Sequence, residues 1–173
     1  MVDLLLEKNP QCLFYYLGDG DTTYLYQLKD KYPERIFHDS ERKDFYEVLK
    51  RASIYLSTYP MMGGLMTQYA AVAGVVPVTL KFDECGEGVL LDCSKLNTEF
   101  DDLQELVAFV THYLSDSQFA SEYKKNLMNQ VVGVDSFKEA VREAICNRKC
   151  YFSYSFRNID TTSFRETYIQ RLK

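Results

Sequence analysis

Residues 53–80 read SIYLSTYPMMGGLMTQYAAVAGVVPVTL, and the alternation inside this stretch decides the fold. SIYLST (53–58) mixes β-branched and aromatic residues in a short run, which is a strand signal. A turn containing Pro60, Gly63 and Gly64 interrupts it. GLMTQYAAVAG (64–74) is then rich in good helix formers and closes on Gly74, which fits a C-terminal cap. VPVTL (76–80) is a second apolar strand. Strand, helix and strand joined by short loops make a crossover unit whose two strands run parallel.

The same tempo continues toward the N-terminus. CLFYYL (12–17), a continuous apolar run ending at Gly18, reads as a strand buried on both faces. Residues 22–32 read as a helix with Leu25 and Leu28 on one side, stopped by Tyr32-Pro33. ERIFH (34–38) is a further strand. Ser40 and Asp44 suit an N-terminal cap and a first-turn acid for a helix whose Phe45, Val48, Leu49 and Ala52 form one core-facing stripe. Residues 2–9 read as a helix leading into the first strand, so the pattern opens on a helix where a doubly wound domain has a strand.

Beyond residue 80 the pattern changes. Residues 82–95 read as a loop with a small edge strand, and everything after them as helix. Leu103, Leu106, Val107, Val110 and Leu114 form one helical stripe; Phe119, Tyr123 and Leu127 form a second. Phe137, Ala140, Val141, Ala144 and Ile145 form a third, and the tail 151–173 reads as a turn and a terminal helix from Thr161 or Thr162. The acids at 99–102 suit the solvated start of a helix. The expected fold is therefore α/β, a Rossmann-like doubly wound parallel sheet with an all-helical C-terminal third, in one domain over residues 1–173.

Bulk composition narrows the function classes. A formal net charge of −5 argues against a nucleic-acid surface, which needs clustered Lys and Arg. No apolar run is long enough for a transmembrane segment, and MVDLLLEKNPQC lacks the basic start of a signal peptide. A cytoplasmic location follows as the expectation, with peripheral membrane contact open through polypeptide outside this chain. Cys12, Cys85, Cys93, Cys146 and Cys150 then read as reduced, mostly buried thiols. Cys146 and Cys150 share a helical face, but no second Cys or His pair completes a metal tetrahedron. His38 and His112 carry no ligand pattern.

In an open parallel sheet, ligands bind beyond the carboxyl ends of the strands. Three such ends carry suggestive loops: Gly18-Asp19-Gly20-Asp21, Phe37-His38-Asp39, and Thr58 to Gly64. The third is the best candidate. Gly63 and Gly64 lack Cβ atoms, and the following helix offers unpaired N–H groups and its positive dipole end to a phosphate. Thr67 and Gln68 could add hydrogen bonds; equally, the glycines could only make a tight turn. Asp21 suits the cap of the helix from residue 22, and His38 suits either contact with a base or sugar or, equally, a half-exposed place without function. No Ser-His-Asp, Cys-His or P-loop pattern is present.

Order and spacing together resemble one family. NPQCLFYYLGDGD (9–21) is similar to the "NP, apolar strand, GDG" segment of the C-terminal, donor-nucleotide-binding domain of GT-B-type glycosyltransferases of the group 1-like kind. YPERIFHDSERKDFYEVLKRASIYLSTYP (32–60) resembles the strand, loop and helix that follow there, and MMGGLMTQYAAVAGVVPVTL (61–80) resembles the donor-binding element. The resemblance implies transfer of a sugar from a nucleotide-sugar to an acceptor, in surface polysaccharide synthesis for example. It implies neither cofactor nor catalytic metal, because the helix dipole and basic groups stabilise the diphosphate leaving group. Gly63, Gly64, Thr67 and Gln68 would meet the diphosphate, sugar or ribose; Thr58, Asp19 and Gly20 would shape the rim, and His38 would flank the base.

The departures matter equally. Many retaining members carry a glutamate pair around this loop; here Met61 or Met62 and Tyr69 or Ala70 stand at those places. The resemblance also implies a missing N-terminal acceptor domain, so this chain would be a C-terminal fragment of a two-domain enzyme, inactive alone and without catalytic residues of its own. A non-catalytic Rossmann-like binding or assembly module is the other reading the missing glutamates allow. A receiver-like or flavodoxin-like α/β protein fits the helical last third poorly.

Overall fold

A computed structural model describes residues 1–59, 63–81, 98–131 and 134–148. The chain is a mixed α/β structure with short parallel strands. Helix α1 (Val2–Lys8) leads into β1 (Phe14–Leu17), followed by α2 (Thr23–Lys31), β2 (Ile36–Asp39), α3 (Phe45–Leu49), β3 (Ile54–Leu56), α4 (Gly64–Val72), β4 (Val76–Leu80) and β5 (Glu99–Phe100). Three helices close the described part: α5 (Leu103–Ser115), α6 (Ser117–Gln130) and α7 (Val134–Asn147).

The strands form two sheets rather than the single sheet expected. β1 and β2 pair in parallel, Phe14 opposite Ile36. β4 is the middle strand of the other sheet, flanked by β3 and β5, both parallel to it. Pro77 fits this arrangement: Thr79 and Lys81 donate to Thr98 and Phe100 of the β5 side, so position 77 faces the same side ahead of β5 and its missing N–H interrupts no ladder bond among the described residues.

Two apolar clusters hold the sheets. Val76, Val78 and Phe100 pack with Ala71, Leu106, Val107, Val110, Tyr113, Tyr123 and Leu127. Ile36 packs with Leu25 and Leu28 of α2, with Phe14 and Tyr16 against them. α1 serves both: Leu5, with Met1 and Leu4, joins the first cluster, and Leu6, with Val2, the second. Asn9 ties the end of α1 to α5 by donating from Nδ2 to the Leu5 carbonyl and the Thr111 hydroxyl. Arg35 donates to the carbonyls of Leu6, Asn9 and Cys12, fastening the C-terminal end of α1 to the start of β2.

α4 ends as its sequence requires. Gly74 takes a φ of +73°, and the N–H groups of Gly74 and Val75 bond back to Ala71 and Ala70, the paired pattern of a Schellman close. Asp102 and Asp116 each accept two first-turn N–H bonds and thereby start α5 and α6.

Several expectations need correction. β1 is not buried on both faces: Leu13 and Tyr15 are 63% and 39% exposed, because the cluster beneath β1 packs on Phe14 and Tyr16, which alternate to the other face. α3 stops at Leu49 and buries no residue fully, so its stripe only skirts a core. Its N-cap is Asp44, not Ser40, and the Asp44 carboxylate pairs with Arg42 instead of capping. Glu99 belongs to a strand; only Asp102 begins a helix. Tyr113, not Leu114, completes the buried stripe of α5. Phe137, Val141 and Ile145 of α7 stay exposed, Ile145 by 75%, for want of a covering neighbour among the described residues. Cys146 is exposed and Cys12 half-buried, whereas buried thiols were expected; Cys85, Cys93 and Cys150 lie outside the described residues. So do the edge strand expected within 82–95 and the tail 151–173.

Candidate functional site

The turn after β3 is built from hydroxyls around a glycine. Gly63 is the N-cap of α4 and supplies no side-chain cap, so the first-turn N–H groups of that helix have no side-chain acceptor from it. A Cβ at Gly63 would meet the Tyr55 hydroxyl at 3.3 Å and Thr58 Oγ1 at 3.5 Å, so the chain here runs close beneath both. Ser57, between them in sequence, is 3% exposed, and its Oγ has no hydrogen-bond partner among the described residues. Burial pushes the Tyr55 phenol up; the Ser57 hydroxyl opposes this weakly but lacks hydrogen-bond geometry. An unpaired buried hydroxyl costs about 1–3 kcal/mol, so it is a reason to look for a ligand at this turn.

Thr67 and Gln68 have different surroundings. The Thr67 hydroxyl is buried and donates to the Gly63 carbonyl at 3.1 Å, which leaves only its lone pairs for another group. Gln68 is on the exposed face of α4, as are Leu65, Tyr69 and Val72. Gly64, half-buried, is the first helical residue, and Thr58 is exposed at the mouth of the turn. Between Ser53 and Leu80 the sequence contains no charged side chain. What this stretch itself offers an anion is backbone N–H groups, hydroxyls and the dipole.

A second group forms at the ends of β1 and β2. Gly18 adopts a φ of +145°, which favours glycine. A Cβ at Gly20 would fall 2.8 Å from the Tyr16 hydroxyl, so this turn is wrapped tightly over that ring. His38 donates from Nε2 to the Gly18 carbonyl at 3.0 Å and lies against the Tyr16 ring. Asp19 is exposed; Asp21 accepts from the Thr23 N–H, but the N-cap of α2 is Thr22, so Asp21 stands one residue ahead of the capping place expected for it. Beside them Tyr15 donates to Asp39, and Arg42 bridges Asp39 and Asp44. The Tyr15 hydroxyl first, and Arg42 after it, hold the Asp39 carboxyl below the usual range.

Thus Gly63, Gly64, Thr67 and Thr58 come together, as do Asp19, Gly20 and His38, each set at the carboxyl end of its own sheet. No hydrogen bond or ring contact joins the two sets among the described residues. Ser57 and Tyr55 were missed in the sequence because their strand position looks like core; only the alternation of side chains along β3 could have marked them. Among the described residues no helix is long and apolar enough to cross a membrane. No protein-family model matches this chain, and no curated protein matches it.

Proposed function

We propose that this chain is the donor-nucleotide-binding part of a GT-B-type glycosyltransferase, with a Rossmann-like arrangement and a helical last third. The observation that carries the reading is Gly63 at the N-terminus of α4, close beneath the Tyr55 and Thr58 hydroxyls. Such a turn suits a diphosphate, which needs convergent N–H and O–H donors and close backbone approach. The ordered motifs of residues 9–80 supply the sugar-transfer context. The His38 and Gly20 side would flank the base or sugar. Catalysis would depend on an acceptor domain that this chain does not include.

One observation favours a second reading, a non-catalytic Rossmann-like binding module. The absence of any charged side chain from Ser53 to Leu80 means that this stretch supplies neither a ribose-binding carboxylate nor a phosphate-binding cation. Calorimetric titration with UDP, GDP and CDP decides between them, repeated on Gly64→Trp. Binding of one diphosphate that the substitution abolishes supports the donor site. Silence with all three transfers the weight to the non-catalytic module.

A further inference from the structure

Among the described residues the two sheets end in open edges on β1 and β3. In a parallel sheet alternate residues bond to opposite neighbours. Phe14 and Gly18 donate to Arg35 and Asp39, so the even positions of β1 face β2, and the N–H groups of Tyr15 and Leu17 point away from it. Ser57 donates to Val78, and Val76 to Ser53, so the odd positions of β3 face β4, and the N–H groups of Ile54 and Leu56 point away. β4, with a neighbour on each side, is buried from Val76 to Thr79, whereas all of β3 and most of β1 are only half-buried.

α1 relates the two edges. Met1, Leu4 and Leu5 join the cluster of one sheet, Val2 and Leu6 that of the other, so the helix lies astride the seam. A helix about 10 Å across covers two strand spacings of about 4.8 Å, the room that one inserted strand requires. The bonds from Arg35 fix the C-terminal end of α1 at the amino ends of β1 and β2, so α1 runs back against the strand direction. A helix so oriented is the crossover of a strand–helix–strand unit, whose first strand is parallel to the second and close beside it. β2 already occupies one side of β1.

We propose that the seam between β1 and β3 receives one more parallel strand, apolar on the face that α1 covers, supplied by polypeptide leading directly into α1. It would join the two sheets into one of order β2-β1-strand-β3-β4-β5. The inference does not depend on the glycosyltransferase reading.

The test compares the 173-residue chain with a version carrying, ahead of Met1, a Val/Ile strand of about five residues and a Gly-Asn-Gly turn. Amide hydrogen exchange is read at Tyr15, Leu17, Ile54 and Leu56. In the chain alone these amides should exchange at least about tenfold faster than those of Tyr16, Tyr55 and Val78, at any protein concentration. The added strand should slow all four by tenfold or more and raise Tm, and a strand with proline at alternate positions should do neither. Equal protection in the chain alone overturns the proposal, as does protection that grows with concentration, which would make a second copy the occupant. Slowing at only β1 or only β3 also overturns it, because the strand would then extend one sheet without joining both.

Discussion

The Tyr16 hydroxyl stands 2.8 Å from the point where Gly20 would carry a Cβ. Tyr16 is held by the cluster beneath β1 and by the His38 ring, so it has little freedom to withdraw. Gly20→Ala is expected to destabilise the chain by about 1 kcal/mol through overpacking. Tyr16→Phe in the same chain should recover most of that loss, because it removes the obstructing oxygen. A denaturant midpoint for the two single variants and the double one measures the coupling; strict additivity would show that the contact carries no strain.

Arg35 donates to three carbonyls with one planar fork. Arg35→Met keeps much of the packing and removes every donor, and should cost about 2 kcal/mol. Arg35→Lys should recover little, since an ammonium cannot reproduce the fork. Urea unfolding followed by circular dichroism reads both losses, and full recovery by lysine would refute the geometric argument.

Ser57 offers a test with an unusual sign. Its buried Oγ has no partner, so Ser57→Ala is expected to stabilise the nucleotide-free chain by about 1 kcal/mol. The same change should weaken binding of whichever nucleoside diphosphate the chain accepts. A destabilised Ser57→Ala would mean that the hydroxyl is satisfied in solution.

The start of α6 should respond to acid. The Phe119 N–H leads the contacts that hold the Asp116 carboxyl below its ordinary 3.8. A carboxylate whose folded value is depressed adds stability that is fully present above the unfolded value and lost as pH falls through the folded one. Stability should therefore decline below about pH 4, and Asp116→Asn should flatten that part of the curve while changing little at neutral pH. Thermal midpoints recorded from neutral to acid pH for both chains would reveal a wrong assignment as two parallel curves.

Much of the local structure was legible from residues 2–80. The α4 helix and its Gly74 close and the Leu25–Leu28 stripe follow from short-range physics that a sequence displays, whereas the cap of α2 falls on Thr22 instead of Asp21. Division of the strands into two sheets was not legible, because it depends on which edges find neighbours, and β1 and β3 look alike in apolar content. The α7 stripe shows the same limit: periodicity marks Phe137, Val141 and Ile145 as one face without saying that something covers it. At the candidate site, glycines announced the turn. The Thr67 bond to Gly63 and the stranded Ser57 hydroxyl required coordinates, since neither rotamer direction nor satisfaction can be read from residue type.

The bond between Asn9 and Thr111 also carries a kinetic consequence. It joins residues 102 positions apart, whereas Ile54 and Val76, which bring β3 onto β4, are close in sequence. Closing the longer loop costs about 1 kcal/mol more chain entropy, so the β3-α4-β4 unit can assemble early while α1 docks on α5 late. Release of α1 removes Leu5 from one apolar cluster and Leu6 from the other, so an excursion of the native state that detaches it should loosen both at once while β4 keeps its partners.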